Sequence, residues 1–474
     1  MSHVITPDLC VIGAGSGGLS VAAAAAQLGV DVVLIERGRM GGDCLNTGCV
    51  PSKALLAAAK RAHLMRAPNN FGVAPVQPEI NYQQVHNHVM SVINAIAPND
   101  SVERFQGLGV HVIQHEASFK DPRTVIAGQY QIRARRTIIA TGSSPAIPPI
   151  AGLENVNFFT NETIFQNEQP IPHLIIIGGG PIGMEMAQAH RRLGSKVTVL
   201  EAMKALGKDD PELTAVVLER LRDEGIEIHE EIRIEEITRD VTGITVKVMK
   251  GQERGELKGS HLLVATGRRP NIERLNLEAA GIKHDRRGIT VNKGLVTSNR
   301  RVFAIGDVTG GLQFTHMANY QAGIVIRRAL FRLWSKQDTR KIPWVTYTDP
   351  ELAHIGMTEE QADKKYGKIH VLRWPYAEND RAQAEAKTDG LVKLICSKKG
   401  KILGVSIVGD HAGELIQLWS FAIAAGMNVK AMTDFVSPYP TLTEINKRVA
   451  YTYFQPKLMN PMLRRFIRLL AKLG

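Results

Sequence analysis

Short, wholly apolar runs alternate with glycine-rich loops and helical stretches along the first part of the chain. Leu9-Cys10-Val11-Ile12 runs into Gly13-Ala14-Gly15-Ser16-Gly17-Gly18, and an alanine-rich helix is predicted from Leu19 to Leu28. A second run, Val32-Val33-Leu34-Ile35, ends at Glu36. Apolar runs of this length without alternation fit strands buried on both faces, as in a parallel sheet covered by helices. The block then returns. Leu174-Ile175-Ile176-Ile177 leads into Gly178-Gly179-Gly180-Pro181-Ile182-Gly183, then a helix, then Val197-Thr198-Val199-Leu200 ending at Glu201. The first glycine and the closing acid keep the same spacing in both copies, 13 to 36 and 178 to 201. Each copy is echoed by a strand ending in Ala-Thr-Gly, at Ala140-Thr141-Gly142 and Ala265-Thr266-Gly267.

One glycine-rich turn is weak evidence of a nucleotide site. Two copies, each with strand, loop, helix, strand and terminal acid, are strong. The glycines let the backbone approach a pyrophosphate, and the helix N-terminus offers amide donors and a positive dipole. Glu36 and Glu201 are placed to accept hydrogen bonds from a ribose diol. The alternative, two glycine turns in an α/β fold with no nucleotide, does not explain the matched acids.

The repeat also sets boundaries. Pro145 to Pro149 leads out of the first unit, and the second closes near Pro270-Asn271. Val302-Phe303-Ala304-Ile305-Gly306-Asp307 reads as a further strand ending in a Gly-Asp loop. From about Lys341 the pattern changes: Leu391–Ile395 and Ile402–Val405 suggest an antiparallel sheet with helices packed on it. The expected segments are 1–150, 151–272, 273–340 and 341–474. A chain of 474 residues exceeds one core and accommodates about three domains.

Composition changes this picture little. A net charge of +12 admits nucleic acid, anionic membrane or acidic ligands as partners. With 5% aromatic residues and no nucleic-acid motif, no nucleic-acid partner is expected. No apolar run spans a bilayer and no secretion signal opens the chain, so a cytoplasmic location is expected.

The chemistry concentrates in Gly41-Gly42-Asp43-Cys44-Leu45-Asn46-Thr47-Gly48-Cys49-Val50-Pro51-Ser52-Lys53. Pro51 suits the first turn of a helix running through Lys60, which puts Cys49 at its N-terminus, where the dipole favours thiolate. Dithiol chemistry needs such a thiolate beside a second, exchangeable thiol. A structural disulfide, a metal site and two inert thiols are the alternatives; no further ligands stand at zinc spacing, so no metal site is expected. Cys10 and Cys396 read as core residues of strands. His86 and His88 share no helix face and read as surface residues. His316 and His411 are placed in loops without a role.

These residues resemble the class I pyridine nucleotide–disulfide oxidoreductases, which include glutathione reductase, dihydrolipoyl dehydrogenase and mercuric reductase. The resemblance covers nearly the whole chain. It implies an α/β fold with two Rossmann-like dinucleotide-binding domains, for FAD and NAD, plus a C-terminal α+β dimerisation domain, working as a homodimer. On it, Gly13, Gly15, Gly18 and Glu36 match FAD-binding positions, and Thr141, Gly142, Gly306 and Asp307 its further contacts. Gly178, Gly180, Gly183, Glu201 and Gly267 belong to the nicotinamide side. Cys49 matches the thiolate facing the flavin and Cys44 the interchange thiol. Lys53 matches a lysine beside flavin N5, with Glu185 as its acidic partner; apart from the resemblance, an ordinary surface pair is the better reading. An acid at Glu201 favours NADH over NADPH by repelling the 2′-phosphate; Lys204 nearby keeps NADPH as an alternative.

The family usually closes with His-Pro-Thr-x-x-Glu, whose histidine is the acid–base for disulfide exchange. Here the segment is Ser437-Pro438-Tyr439-Pro440-Thr441-Leu442-Thr443-Glu444. A phenol titrates near 10 and an imidazole near 6.5, so Tyr439 is a poor base at neutral pH. Mercuric reductase also carries a tyrosine here, and Tyr347-Thr348-Asp349-Pro350-Glu351 resembles that branch too. Its usual vicinal cysteine pair near the C-terminus has no counterpart after Cys396. The expected activity is therefore electron transfer from NAD(P)H through flavin and Cys44–Cys49 to a small-molecule or metal-ion acceptor, as in mercuric reductase. A dithiol dehydrogenase lacking the usual base, with a lipoylated protein partner, is one alternative. A flavoprotein sensor or membrane-docked module is another. The segment Pro461 to Lys472, apolar on one side and basic on the other, fits peripheral membrane contact or docking on its own dimer.

Overall fold

The computed structural model describes residues 3–66, 71–241 and 243–473; the outermost ends of the expected first and last segments, Met1, Ser2 and Gly474, lie outside the described residues. The chain forms two compact units. One holds the N-terminal stretch through residue 66 with residues 76–202 and 231–337; the other holds residues 203–230 and those from 338 onward.

In the first unit, five strands form a parallel sheet in the order Val302–Ala304, Arg136–Ile139, Leu9–Ile12, Val32–Glu36, His111–Gln114. Side chains alternate along each strand, so the sheet feeds two cores. Leu9, Val11 and Leu34 pack with Leu19, Val21, Ala22 and Ala25 of the helix Ser16–Gln27 and with Ile324 and Val325 of the helix Thr315–Ala329. Cys10, Ile12, Val33 and Ile35 pack on the other face with Phe119, Ile132 and Val308. Burial on both faces is why these strands carry no polar alternation. The second block forms its own parallel sheet, with His173–Ile177 between Lys196–Leu200 and His261–Val264. An antiparallel meander, Arg233–Asp240, Gly243–Lys250 and Glu253–Gly259, adds Ile237, Ile244, Val246 and Val248 to the core beside it.

The second unit is an antiparallel sheet in the order Trp344–Thr346, Glu351–Gly356, Ile402–Gly409, Leu391–Ser397, Ile369–Pro375. The helices Ala412–Ala424 and Glu444–Thr452 pack on it around the fully buried Trp419 and Tyr376. The expected fold class holds: two Rossmann-like units and a C-terminal α+β unit.

Two local expectations are corrected. The alanine-rich helix begins at Ser16, not Leu19, and so takes in Gly17 and Gly18. Glycine's poor helix propensity hid the boundary, but a Cβ on Gly18 would lie 1.8 Å from the Gly13 carbonyl oxygen, so only glycine fits this first turn. His316 is the second residue of the helix Thr315–Ala329 and stacks on Phe314; it is not in a loop. The helix expected to run through Lys60 does so and extends to Arg66.

Candidate functional site

The two glycine loops repeat each other in detail. Gly13 has φ +104° and Gly178 φ +112°, and a Cβ on either would stand 2.4 Å from a carbonyl oxygen, of Ala140 or of Ala265. The first glycine of each loop thus packs on the strand that ends in Ala-Thr-Gly. Gly183 repeats the approach of Gly18, with a Cβ only 2.0 Å from the Gly178 carbonyl. The middle glycines face open space: a Cβ on Gly180 would meet nothing within 4 Å, and on Gly15 only the Gly42 Cα at 3.9 Å. The helices Ser16–Gln27 and Pro181–Arg192 carry no side-chain cap and no acid in the first turn. Their leading amides and positive dipole ends are therefore suited to an anion.

Glu36 Oε2 accepts from the Ala14 N–H at 2.6 Å and its Oε1 from the Gly38 N–H at 2.7 Å. Glu201 Oε2 accepts from the Gly179 N–H at 2.6 Å. Each acid is held by its own glycine loop, and a carboxylate so held keeps lone pairs for a ribose diol. Both cradles fit a dinucleotide. Thr141 is tied to Asn271, its hydroxyl donating to the Asn271 carbonyl at 2.8 Å. Gly142, at φ +66°, and Gly267, at φ +137°, leave open space where a side chain would stand. The Gly306 N–H donates to Gln321 Oε1 at 2.6 Å.

The redox loop folds into a short helix, Gly42–Asn46, and then the long helix Cys49–Arg66, with Cys49 as its first residue. Both cysteines are free thiols. Their side chains are hydrogen-bonded to each other, and the Cys49 Sγ lies 3.4 Å from the Thr315 hydroxyl. The hydrogen bond from Cys44, then that from Thr315 and the Lys53 charge, hold Cys49 down to about 6, against burial and the Asp43 carboxylate. Cys44 is pushed well above its ordinary value by the hydrogen bond to Cys49, burial and the charge of its neighbour. One sulfur is a thiolate at neutral pH and the other keeps its proton. Lys53 Nζ donates to Glu185 Oε2 at 2.8 Å; Glu185 is buried on the helix Pro181–Arg192.

Arg268, next to Gly267, gathers a polar network that the sequence did not announce. It donates to the Ser143 hydroxyl at 2.7 Å and carbonyl at 2.8 Å, and lies 3.3 Å from Asp43 and 3.8 Å from Asp307. Ser143 donates to Asp307 Oδ2 at 2.6 Å. Burial pushes the Asp307 carboxyl up, opposed by Ser143 and Arg268. Asn161 donates to Asp43 Oδ1 at 3.0 Å and to the Thr47 carbonyl at 3.1 Å. The Gly-Asp loop is thereby joined to the residue preceding Cys44. Arg268 follows an Ala-Thr-Gly echo, a usable hint; Thr315 and Asn161 stand in no motif.

In the second unit, Tyr439 is 69% exposed and its hydroxyl donates to Asp380 Oδ2 at 2.9 Å. That bond raises its pKa above the ordinary phenol value, so the hydroxyl stays protonated. Glu444 opens the helix Glu444–Thr452 and lies 3.8 Å from Arg448; the Tyr439 hydroxyl goes to Asp380 instead. Among the described residues, no three His, Cys, Asp or Glu side chains gather to hold a resident metal ion.

Residues 7–322 match the family described as pyridine nucleotide-disulphide oxidoreductase, and residues 342–450 match its dimerisation domain. A mercuric reductase of Lysinibacillus sphaericus is 35% identical over 449 residues, 94% of this chain and 82% of that protein. A dihydrolipoyl dehydrogenase of Staphylococcus aureus is 35% identical over 462 residues, 94% of this chain and 96% of that protein. A Cu(II) complex of the HOCl-induced flavoprotein disulfide reductase RclA from Escherichia coli superposes with a TM-score of 0.84 at 29% identity, over 93% of this chain and 99% of that one. With two glycine cradles, a cysteine pair between them and both matches spanning most of its length, the chain belongs to the pyridine nucleotide-disulphide oxidoreductases, enzymes whose cofactors are FAD and NAD(P)H.

Proposed function

We propose that the chain is an NADH-dependent flavoenzyme that delivers electrons through Cys44 and Cys49 to a thiolate-bound soft metal ion, with Hg(II) as the type substrate. The observation that carries this reading is Tyr439 in place of the usual histidine, exposed and with its hydroxyl donating to Asp380 Oδ2 at 2.9 Å, beside a Cys44–Cys49 pair that serves either acceptor. Gly13, Gly15, Gly18, Glu36, Thr141, Gly142, Gly306 and Asp307 would hold FAD, which would supply two-electron transfer between the nicotinamide and the Cys44–Cys49 disulfide. Lys53, fixed by Glu185 at 2.8 Å, supplies the positive charge that a reduced flavin requires. Gly178, Gly180, Gly183 and Gly267 hold the nicotinamide dinucleotide. Glu201, fixed by Gly179, repels a 2′-phosphate and favours NADH.

The reduced pair then offers two sulfurs, ligands that prefer soft metals. Two electrons from NADH convert Hg(II) to Hg(0), releasing NAD⁺ and a proton. Hg(II) displaces the Cys44 proton to solvent as it binds both sulfurs, so no near-neutral base is needed, which agrees with a Tyr439 hydroxyl kept protonated against Asp380. The mercuric reductase relatives and the Cu(II) complex of RclA support the same acceptor class. The dimerisation domain supports a homodimer.

A second reading, a dihydrolipoyl dehydrogenase serving a lipoylated protein, is supported by relatives of that name at the same 35% identity. The two are separated by following NADH consumption by FAD-loaded protein with thiol-complexed Hg(II) and with lipoamide. We expect turnover on mercury, abolished in Cys44→Ser and in Cys49→Ser while NADH still bleaches the flavin. Fast lipoamide turnover with little on mercury would replace the metal reading with the dithiol one.

A further inference from the structure

The C-terminal helix Pro461–Leu470 lies wholly on the surface, with no buried residue. It starts afresh after Asn460, whose side chain accepts from the Met462 N–H at 2.9 Å, with Pro461 in the first turn. At 3.6 residues per turn, Met462, Leu463, Phe466, Ile467 and Leu470 fall on one side. Arg464, Arg465 and Arg468 fall together on the opposite side, Lys472 follows just beyond the helix, and no acid occurs from Asn460 to Leu473. Met462 is 79% and Phe466 55% exposed, so the apolar side meets water. A helix this short is marginal in water by itself and needs a surface to cover that side.

Two observations choose the occupant. The match to the family's dimerisation domain ends at residue 450, before this helix begins. A second copy would bring the same unrelieved cations, in a chain already at +12. An anionic bilayer satisfies both sides of the helix at once, apolar side chains among the acyl chains and cations among the headgroups. Among the described residues no helix is long and apolar enough to cross a membrane.

We propose that Pro461–Leu470 docks the enzyme peripherally on an anionic membrane surface. The docking is reversible and salt-sensitive, and it is independent of the electron acceptor.

The test is flotation of the full-length FAD-loaded protein with vesicles of phosphatidylcholine alone and of phosphatidylcholine with phosphatidylserine. We expect binding to the anionic vesicles, weakened by salt and lost in Phe466→Asp, with NADH-driven flavin reduction and particle mass unchanged. Each Arg→Gln change at 464, 465 or 468 should lower the partition about fivefold. The proposal is overturned if binding to anionic vesicles does not exceed that of a chain truncated after Asn460. It is also overturned if neutral vesicles bind equally well, or if Phe466→Asp halves the particle mass, which would place the helix in the dimer.

Discussion

Thr315 stands 3.4 Å from the Cys49 sulfur and donates one of the hydrogen bonds that hold that thiol down to about 6. Removing it with Thr315→Val tests whether the thiolate is set by these few contacts. A hydrogen bond to a charged group contributes about 1.5–3 kcal/mol, or roughly 1–2 pKa units. Because Cys49 is only partly buried and reaches solvent, water replaces part of the bond, and a rise of about one unit is expected. The native protein should then carry roughly 90% thiolate at Cys49 at pH 7, against roughly 50% in the variant and roughly 1% for a thiol titrating at 9. The assay is the rate of iodoacetamide alkylation of dithiol-reduced protein across pH 5–9, read for each cysteine by peptide mass spectrometry. Cys49 should inflect near 6 and Cys44 should stay unreactive while it shares its proton with Cys49. Cys10 and Cys396, which burial pushes up to about 12, serve as internal controls. If Cys44 and Cys49 alkylate equally fast with a common inflection near 9, or if Thr315→Val leaves the Cys49 inflection in place, the electrostatic account of the pair is wrong.

Gly18→Ala puts a methyl 1.8 Å from the Gly13 carbonyl, so the loop must open; the purified variant should lose most of its flavin absorbance, and full flavin content would show that the loop does not hold FAD. Lys393 is buried with its Nζ 2.7 Å from Asp210 and Glu359 and 3.0 Å from Glu212. Lys393→Met strands the buried Asp210 and should cost about 3–5 kcal/mol in chemical denaturation; a loss below about 1 kcal/mol would mean that water already relieves the cluster. Arg373 and Lys393 hold Glu212 down to about 2. Its folded-state pKa is depressed, so its contribution is complete above the ordinary 4.5 and lost as pH falls toward 2. Native protein should therefore lose an increment of thermal stability across that window that Glu212→Gln lacks; parallel melting curves for the two would refute it.

Much of the molecule was decided by local sequence. Unbroken runs such as Leu9–Ile12 and Leu174–Ile177 specify strands covered on both faces because no polar position could face water. Glycine at 13, 18, 178 and 183 specifies the cradles because the backbone passes where any Cβ would collide. The spacing of Cys44, Cys49 and Pro51 places one thiol at a helix N-terminus. These features are readable because each is settled by contacts within a few residues or by a repeated pattern. The tertiary structure decided what depends on residues far apart in the chain. Thr315 reaches Cys49 across 266 positions and Arg268 joins Asp43 to Asp307, neither of which carries a periodicity. The titration of the cysteines belongs to this second class. A thiol's pKa is the sum of the charges, donors and burial that surround it, and a sequence fixes those only after it has folded.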